Sequence, residues 1–253
     1  MERWRGKSVL ITGASSGIGL ATAEALAKFG LKVIGCARNV QTLVQLNARL
    51  GDNQIDAISC DLTNEEEVCR MLSEIKQKYG TLNALINSAG MALKEPLASG
   101  TQQGWKRMLD LNIVALSVCT REALKLMEPG KIAGDGGHVI NINSYIGHHV
   151  HKNPSVQFYS ATKHMVTALT DALRKDCQAK NIRVTSLSPG VVETEFADRA
   201  FGSDPTEVAL SYYTQYKCLQ AKDVAGAIVY ILSVPPYVNI DELTMTPHQQ
   251  ALI

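Results

Sequence analysis

Tyr159 and Lys163 stand four residues apart, about one helical turn, so both side chains project from the same face of a helix. A free tyrosine titrates near pH 10, too high for ready proton exchange at neutral pH. A lysine ammonium beside it stabilises the phenolate and lowers that value, and further positive charge nearby adds to the effect. The pair can therefore act as a tuned proton donor and acceptor. The spacing alone is cheap, because Tyr213 and Lys217 repeat it further along the chain. Ser144, at the end of a strand-like run, is a hydroxyl able to hydrogen-bond a substrate oxygen as charge develops there. Asn112 falls within a long apolar helical stretch, where its amide needs a partner. Two partners remain open: a water linked to Lys163, or protein groups around a buried structural amide.

A second chemistry lies near the N-terminus, in Thr12-Gly13-Ala14-Ser15-Ser16-Gly17-Ile18-Gly19. Gly13, Gly17 and Gly19 follow a strand and open a helix, with Ser15, Ser16 and Ile18 among them. The spacing G-x-x-x-G-x-G departs from G-x-G-x-x-G, but glycines still permit a tight turn, and a helix N-terminus favours a pyrophosphate. An isolated turn of this kind is otherwise a plain strand-to-helix connection. Its place after the first strand, together with the Tyr159/Lys163 pair, suggests a dinucleotide-dependent oxidoreductase. At the end of the second strand, an acidic residue would bind ribose hydroxyls and repel a 2′-phosphate. The chain has Ala37-Arg38 there, which suits NADP(H); the alternative is a solvated loop arginine.

These groups need a scaffold. Short β-branched runs fall at 8–12, 32–37, 56–60, 84–87, 138–143, 183–187 and 243–246, and helical patterns at 17–29, 64–79, 104–127, 157–179 and 221–232. Strands that are apolar throughout, rather than alternating, predict a parallel sheet covered by helices on both faces. The expectation is a single doubly wound α/β domain over 1–253, with a substrate-binding loop region at about 195–222, a stretch long enough to serve as a lid or binding segment.

The 253 residues, 45% hydrophobic and 19% charged, are those of a globular protein. A net charge of +1 gives no reason to expect nucleic acid or an anionic membrane as partner. No apolar run approaches the roughly 20 residues of a membrane span, and no secretory signal opens the sequence. Six scattered cysteines without a Cys-x-x-Cys predict reduced thiols and a cytoplasmic location. His148, His149 and His151 lack Cys or carboxylate neighbours in sequence, so they read as exposed histidines of a substrate-side loop, with no metal expected.

The pieces occur in order: the glycine turn, Asn87-Ser88-Ala89-Gly90, Asn112, Asn141-Ile142-Asn143-Ser144, Tyr159-Ser160-Ala161-Thr162-Lys163, and Ser188-Pro189-Gly190 with Thr194. This order resembles the short-chain dehydrogenase/reductase family over essentially the whole chain. The resemblance implies a Rossmann-type fold and catalytic roles for Asn112, Ser144, Tyr159 and Lys163. It also implies a cofactor site that includes Asp61 and Leu62 near the adenine, Ala89 and Gly90, Pro189, Gly190 and Val192, Thr194 near the carboxamide, and Asn87 holding the central sheet. Ala37-Arg38 and the closing 241–247 segment resemble an NADP-dependent branch acting on hydroxysteroids, farnesol-like isoprenoids or 3-hydroxy acids. Three departures stand out. Ser88 replaces the usual second asparagine, Ser16 stands where many NADP-preferring relatives carry a basic residue, and the segment between Ser144 and Tyr159 is somewhat long.

The implied function is an NADP(H)-dependent alcohol dehydrogenase or carbonyl reductase for a mostly apolar substrate. The alternatives are a 3-hydroxy acid dehydrogenase, for which Arg199 or Lys217 would bind the carboxylate, and a catalytically silent dinucleotide-sensing or scaffold protein. The stretches 105–127 and 157–173 carry more apolar residues than one buried stripe needs, which predicts a homodimer or homotetramer.

Overall fold

The computed structural model describes residues 1–51, 54–127, 136–196, 200 and 216–250. Seven strands form one sheet in the order β3 (Ile55–Ser59), β2 (Lys32–Ala37), β1 (Ser8–Thr12), β4 (Ala84–Asn87), β5 (Gly137–Ile142), β6 (Ile182–Pro189) and β9 (Glu242–Met245). Every neighbouring pair is parallel. A separate two-stranded pairing, β7 (Val192–Glu193) with β8 (Leu219–Gln220), lies beyond the sheet.

The helices are α1 (Gly17–Lys28), α2 (Gln41–Leu50), α3 (Glu65–Tyr79), α4 (Gln102–Leu109), α5 (Leu116–Leu126), α6 (Gln157–Cys177) and α7 (Ala221–Ser233). Successive strand residues face opposite sides of the sheet, and the core sorts accordingly. Val9, Ile11, Val33, Ala84, Ile86 and Ile140 pack with Leu26 of α1, Leu43 of α2 and Ile228 of α7. Leu10, Ile34, Leu85 and Val139 pack on the other side with Met71 of α3 and Cys119 of α5. This is why β1, β4 and β5 are buried at every position. Truncating a fully buried Ile86 to alanine costs about 2–5 kcal/mol.

The expected strands all form, within one or two residues of their predicted bounds. Helix α2 was not expected; it buries Leu43 and Leu46 and starts at Val40 without a side-chain cap. The single helix predicted over 104–127 is instead α4, a π-helical turn (Asp110–Ala115) and α5 in one continuous rod. Most of the 195–222 loop region, including Arg199 and Tyr213, lies outside the described residues; Lys217 is exposed.

Strand order reverses at β1: β2 and β3 are added on one side, β4, β5 and β6 on the other. In such sheets the crevice outside the strand C-termini at the reversal is the natural ligand site.

Candidate active site

A cleft of about 730 Å³ opens at that reversal. Its centre is the turn between β1 and α1. Gly13 has φ +65°, and a Cβ on it would come within 2.8 Å of Ala89 Cα, while a Cβ on Gly19 would run into the Gly13 carbonyl. Only glycine fits both places. Thr12 Oγ1 accepts from the Ser88 and Ala89 N–H groups at 3.0 and 3.1 Å, which ties the ends of β1 and β4 together. Helix α3 is capped by Asn64, whose Oδ1 accepts from Glu66 and Glu67 N–H. Ser16, the N-cap of α1, makes no such side-chain bond. The first-turn N–H groups of α1 therefore face the cleft as an anion cradle.

On the β2–β3 side, Arg38 and Asp61 line the cleft with Leu62. The Asp61 carboxyl is held below its ordinary value by the Thr63 hydroxyl at 2.7 Å and the Thr63 N–H at 3.0 Å, with Arg38 adding charge against the cost of burial. On the β4–β6 side the wall includes Ala89, Gly90, Ser144, Tyr159, Lys163, Pro189, Gly190, Val192 and Thr194; Ser15, Ser16, Gly17 and Ile18 complete the floor.

Asn87 and Asn112 do not line the cleft. Asn87 Nδ2 donates to Thr120 Oγ1 and to Asn141 Oδ1, each at 2.9 Å, bridging β4 to β5 and α5. Asn112 Oδ1 accepts from Met91 N–H at 2.8 Å, while its Nδ2 donates to Met91 O at 2.8 Å and Thr162 Oγ1 at 3.1 Å. The Asn112 amide thus bonds both to the Met91 backbone and to the Thr162 hydroxyl. Asn112 nonetheless stays near Lys163: a Cβ on Gly90 would lie 3.5 Å from Asn112 Oδ1 and 3.9 Å from Lys163 Nζ.

A family model described as short chain dehydrogenase matches residues 7–203. The chain belongs to the short-chain dehydrogenase family. It is 47% identical to dehydrogenase/reductase SDR family member 11 of Gallus gallus, over 99% of each chain. It is 35% identical to the farnesol dehydrogenase of Aedes aegypti, over 98% of each. A solved closed form of serine dehydrogenase complexed with NADP+ superposes with a TM-score of 0.88 at 32% identity, over 97% of this chain and 96% of that one.

In this short-chain dehydrogenase, α6 carries Tyr159 and Lys163 inward: their residues are only 9% and 6% exposed, so they are no surface pair. Lys163 Nζ donates to Ile142 O at 2.9 Å and sits 5.8 Å from the Tyr159 ring centroid. Burial draws the Lys163 pKa down to about 8. Burial also pushes the Tyr159 hydroxyl well above its ordinary value, and a Ser144 hydrogen bond only partly opposes this. In the protein alone desolvation dominates the Tyr159 hydroxyl; the lowering expected at this pair belongs to the state in which an oxidised nicotinamide adds its positive charge.

The sequence reading missed much of the wall. Met91, Ala92, Leu93, Ile146, Val156 and Phe196 line it with His151, Arg107 and Gln250. The Phe196 ring lies 5.6 Å from that of Tyr159. The apolar residues directly after Gly90 and after Ser144 were a usable signal; Gln250, near the chain end, carried none. The three histidines separate rather than cluster. His148 Nε2 lies 3.0 Å from Ser188 Oγ and 3.3 Å from Glu242 Oε1. His149 is exposed and packs on the Tyr145 ring, whereas His151 is partly buried at the cleft. The expectation of uniformly exposed histidines is corrected: the loop folds against β6 and β9. Among the described residues no group of His, Cys, Asp or Glu is arranged as a metal site, and no helix is long and apolar enough to cross a membrane.

Proposed function

We propose that this chain is an NADP(H)-dependent oxidoreductase interconverting an alcohol and a carbonyl on a mostly apolar substrate. The observation that carries this reading is one continuous cleft with Arg38 and Asp61 at one end, bare glycine backbone in the middle, and Ser144, Tyr159 and Lys163 at the other. The names of relatives agree: a farnesol dehydrogenase at 35% identity, and a neighbour complexed with NADP+. The glycine cradle and uncapped α1 terminus fit a pyrophosphate, and Arg38 would meet a 2′-phosphate.

When bound, the reduced cofactor supplies the hydride that adds to the carbonyl carbon. Tyr159 Oη–H gives its proton to the carbonyl oxygen as the C–O bond becomes single. Ser144 Oγ donates a hydrogen bond to that oxygen while charge builds on it. Lys163 then returns a proton to the tyrosinate and is itself reprotonated from solvent water; with a pKa near 8 it can do both at neutral pH. Asn112 serves at one remove by fixing Met91 and Thr162. Every step reverses for alcohol oxidation.

The substrate end is walled by Met91, Ala92, Leu93, Ile146, Val156 and Phe196, which favours a steroid or isoprenoid skeleton. A second reading, a 3-hydroxy acid, rests on Arg107, a cation on the same wall. NADPH oxidation measured against steroid ketones, isoprenoid aldehydes and 3-oxo acids tests both. Turnover of the first two classes is expected. Preference for 3-oxo acids would favour the Arg107 reading, and NADPH binding without any turnover would leave a dinucleotide-sensing protein.

A further inference from the structure

The wall beside the reactive end of the cleft, residues 190–194, belongs to neither the seven-stranded sheet nor a helix. Three contacts fix its first part. Gly190 N–H donates to Met245 O at 2.7 Å, and Val191 O accepts from Leu219 N–H at 3.1 Å. The third is a side chain: Val191 N–H donates to Gln250 Oε1 at 2.9 Å. Gln250 arrives by a reversal of the C-terminal tail after β9, closed by its own N–H donating to Pro247 O at 3.0 Å. The fit is tight enough that a Cβ on Gly190 would run into Gln250 Oε1 and lie 3.1 Å from Pro247 Cδ. Gln250 also lines the cleft itself.

This wall carries Val192 and Thr194. Thr194 reaches the phosphate turn, since a Cβ on Gly17 would lie 3.3 Å from its Cγ2. The wall continues directly from the end of β6, so it lies on the side of the cleft above β4, β5 and β6, where Ser144 and Tyr159 stand. The half above β2 and β3, with Arg38 and Asp61, lies across the strand-order reversal.

We infer that Gln250 is a positioning residue: its side-chain carbonyl holds the 190–194 wall against the reactive half of the dinucleotide, so the C-terminal tail sets affinity for that half alone. The inference rests on the NADP(H) reading above. A partly buried N–H that loses its acceptor is free to reorient toward water, and the wall then hangs on the Gly190–Met245 bond and its pairing with β8.

The test is calorimetric titration of the full-length protein, Gln250→Ala and Gln250→Leu with two ligands: NADPH, and adenosine 2′,5′-bisphosphate, which is its adenosine half. Loss of one hydrogen bond should weaken NADPH by about 2- to 12-fold in both variants. Binding of the bisphosphate should match the parent protein, while the melting temperature should fall by only about 1–6 °C, the worth of one hydrogen bond. Unchanged NADPH affinity in both variants would overturn the inference, as would equal weakening of the two ligands, which marks a general loosening. If the parent protein binds neither ligand, the NADP(H) reading itself fails and this inference falls with it. If the parent binds both and the variants match it, only the role of Gln250 is lost.

Discussion

Lys163 should be an expensive residue for the fold, and Lys163→Met should reveal by how much. The side chain is buried in α6, and its Nζ has the Ile142 carbonyl as hydrogen-bond acceptor. Burial moves its pKa from 10.5 to about 8. Because the folded value lies below the unfolded one, the penalty for burying the charge is fully present below pH 8. It fades as pH rises from 8 and is gone above 10.5, where both states are neutral. At about 1.36 kcal/mol per pH unit the interval corresponds to about 3 kcal/mol. Methionine has similar length and no charge, so Lys163→Met should be more stable than the parent at pH 7. The pH-dependent part of that gap should be about 3 kcal/mol at pH 7 and below about 1 kcal/mol at pH 10. Urea unfolding of both proteins without cofactor, at pH 7, 8, 9 and 10, reads the gap directly, and shifts from all other groups cancel in the difference. The variant should also lose nearly all turnover. A gap that stays constant or widens with pH would mean that Lys163 keeps its charge cheaply, and the argument from desolvation would be wrong.

Three other outcomes are expected. Tyr159→Phe keeps the ring but removes the exchangeable proton, so turnover should fall by at least about 10²–10⁴-fold, with NADPH affinity nearly unchanged; a small loss in a turnover assay would assign the proton elsewhere. Arg38→Ala should weaken NADPH by about 10- to 150-fold, the range of a charge-assisted hydrogen bond, and leave NADH nearly unaffected. Equal weakening of both in a titration would make Arg38 a loop residue only. Val114, Met165 and Leu169 stay exposed on the rod and α6, so light scattering at micromolar concentration should find a dimer or tetramer; a monomer would refute that assembly.

The central strands were legible because they are buried on both sides and so run apolar without interruption, as in Val9-Leu10-Ile11 and Ala84-Leu85-Ile86. Helix α2 was not, although its apolar residues share one face about as clearly as those of α3 and α5: it is short, and Val40 stands where a polar N-cap would have marked its start. The glycine turn, Arg38, Ser144, Tyr159 and Lys163 could be read from their order and do share one cleft. The states of Tyr159 and Lys163 could not, since burial depends on what packs around α6. Gln250 and Arg107 were beyond reach for another reason: their membership of the wall depends on where a tail and a helix face end up.

The π turn at Asp110–Ala115 has a consequence for how this region tolerates change. It adds one residue to a turn, and an α-helix advances about 100° per residue. The rod before it presents Met108 to the cluster around Tyr159, and the rod after it presents Cys119 and Ala123 to the sheet. Removing the extra residue would change the angle between those two faces by about 100°. The turn works as an angular spacer, with Asn112 at its middle bonded to Met91 and Thr162. Side chains in the rod can vary while the number of residues cannot. A one-residue deletion anywhere between Met108 and Cys119 would rotate one half against the other and pull Asn112 out of register with both partners.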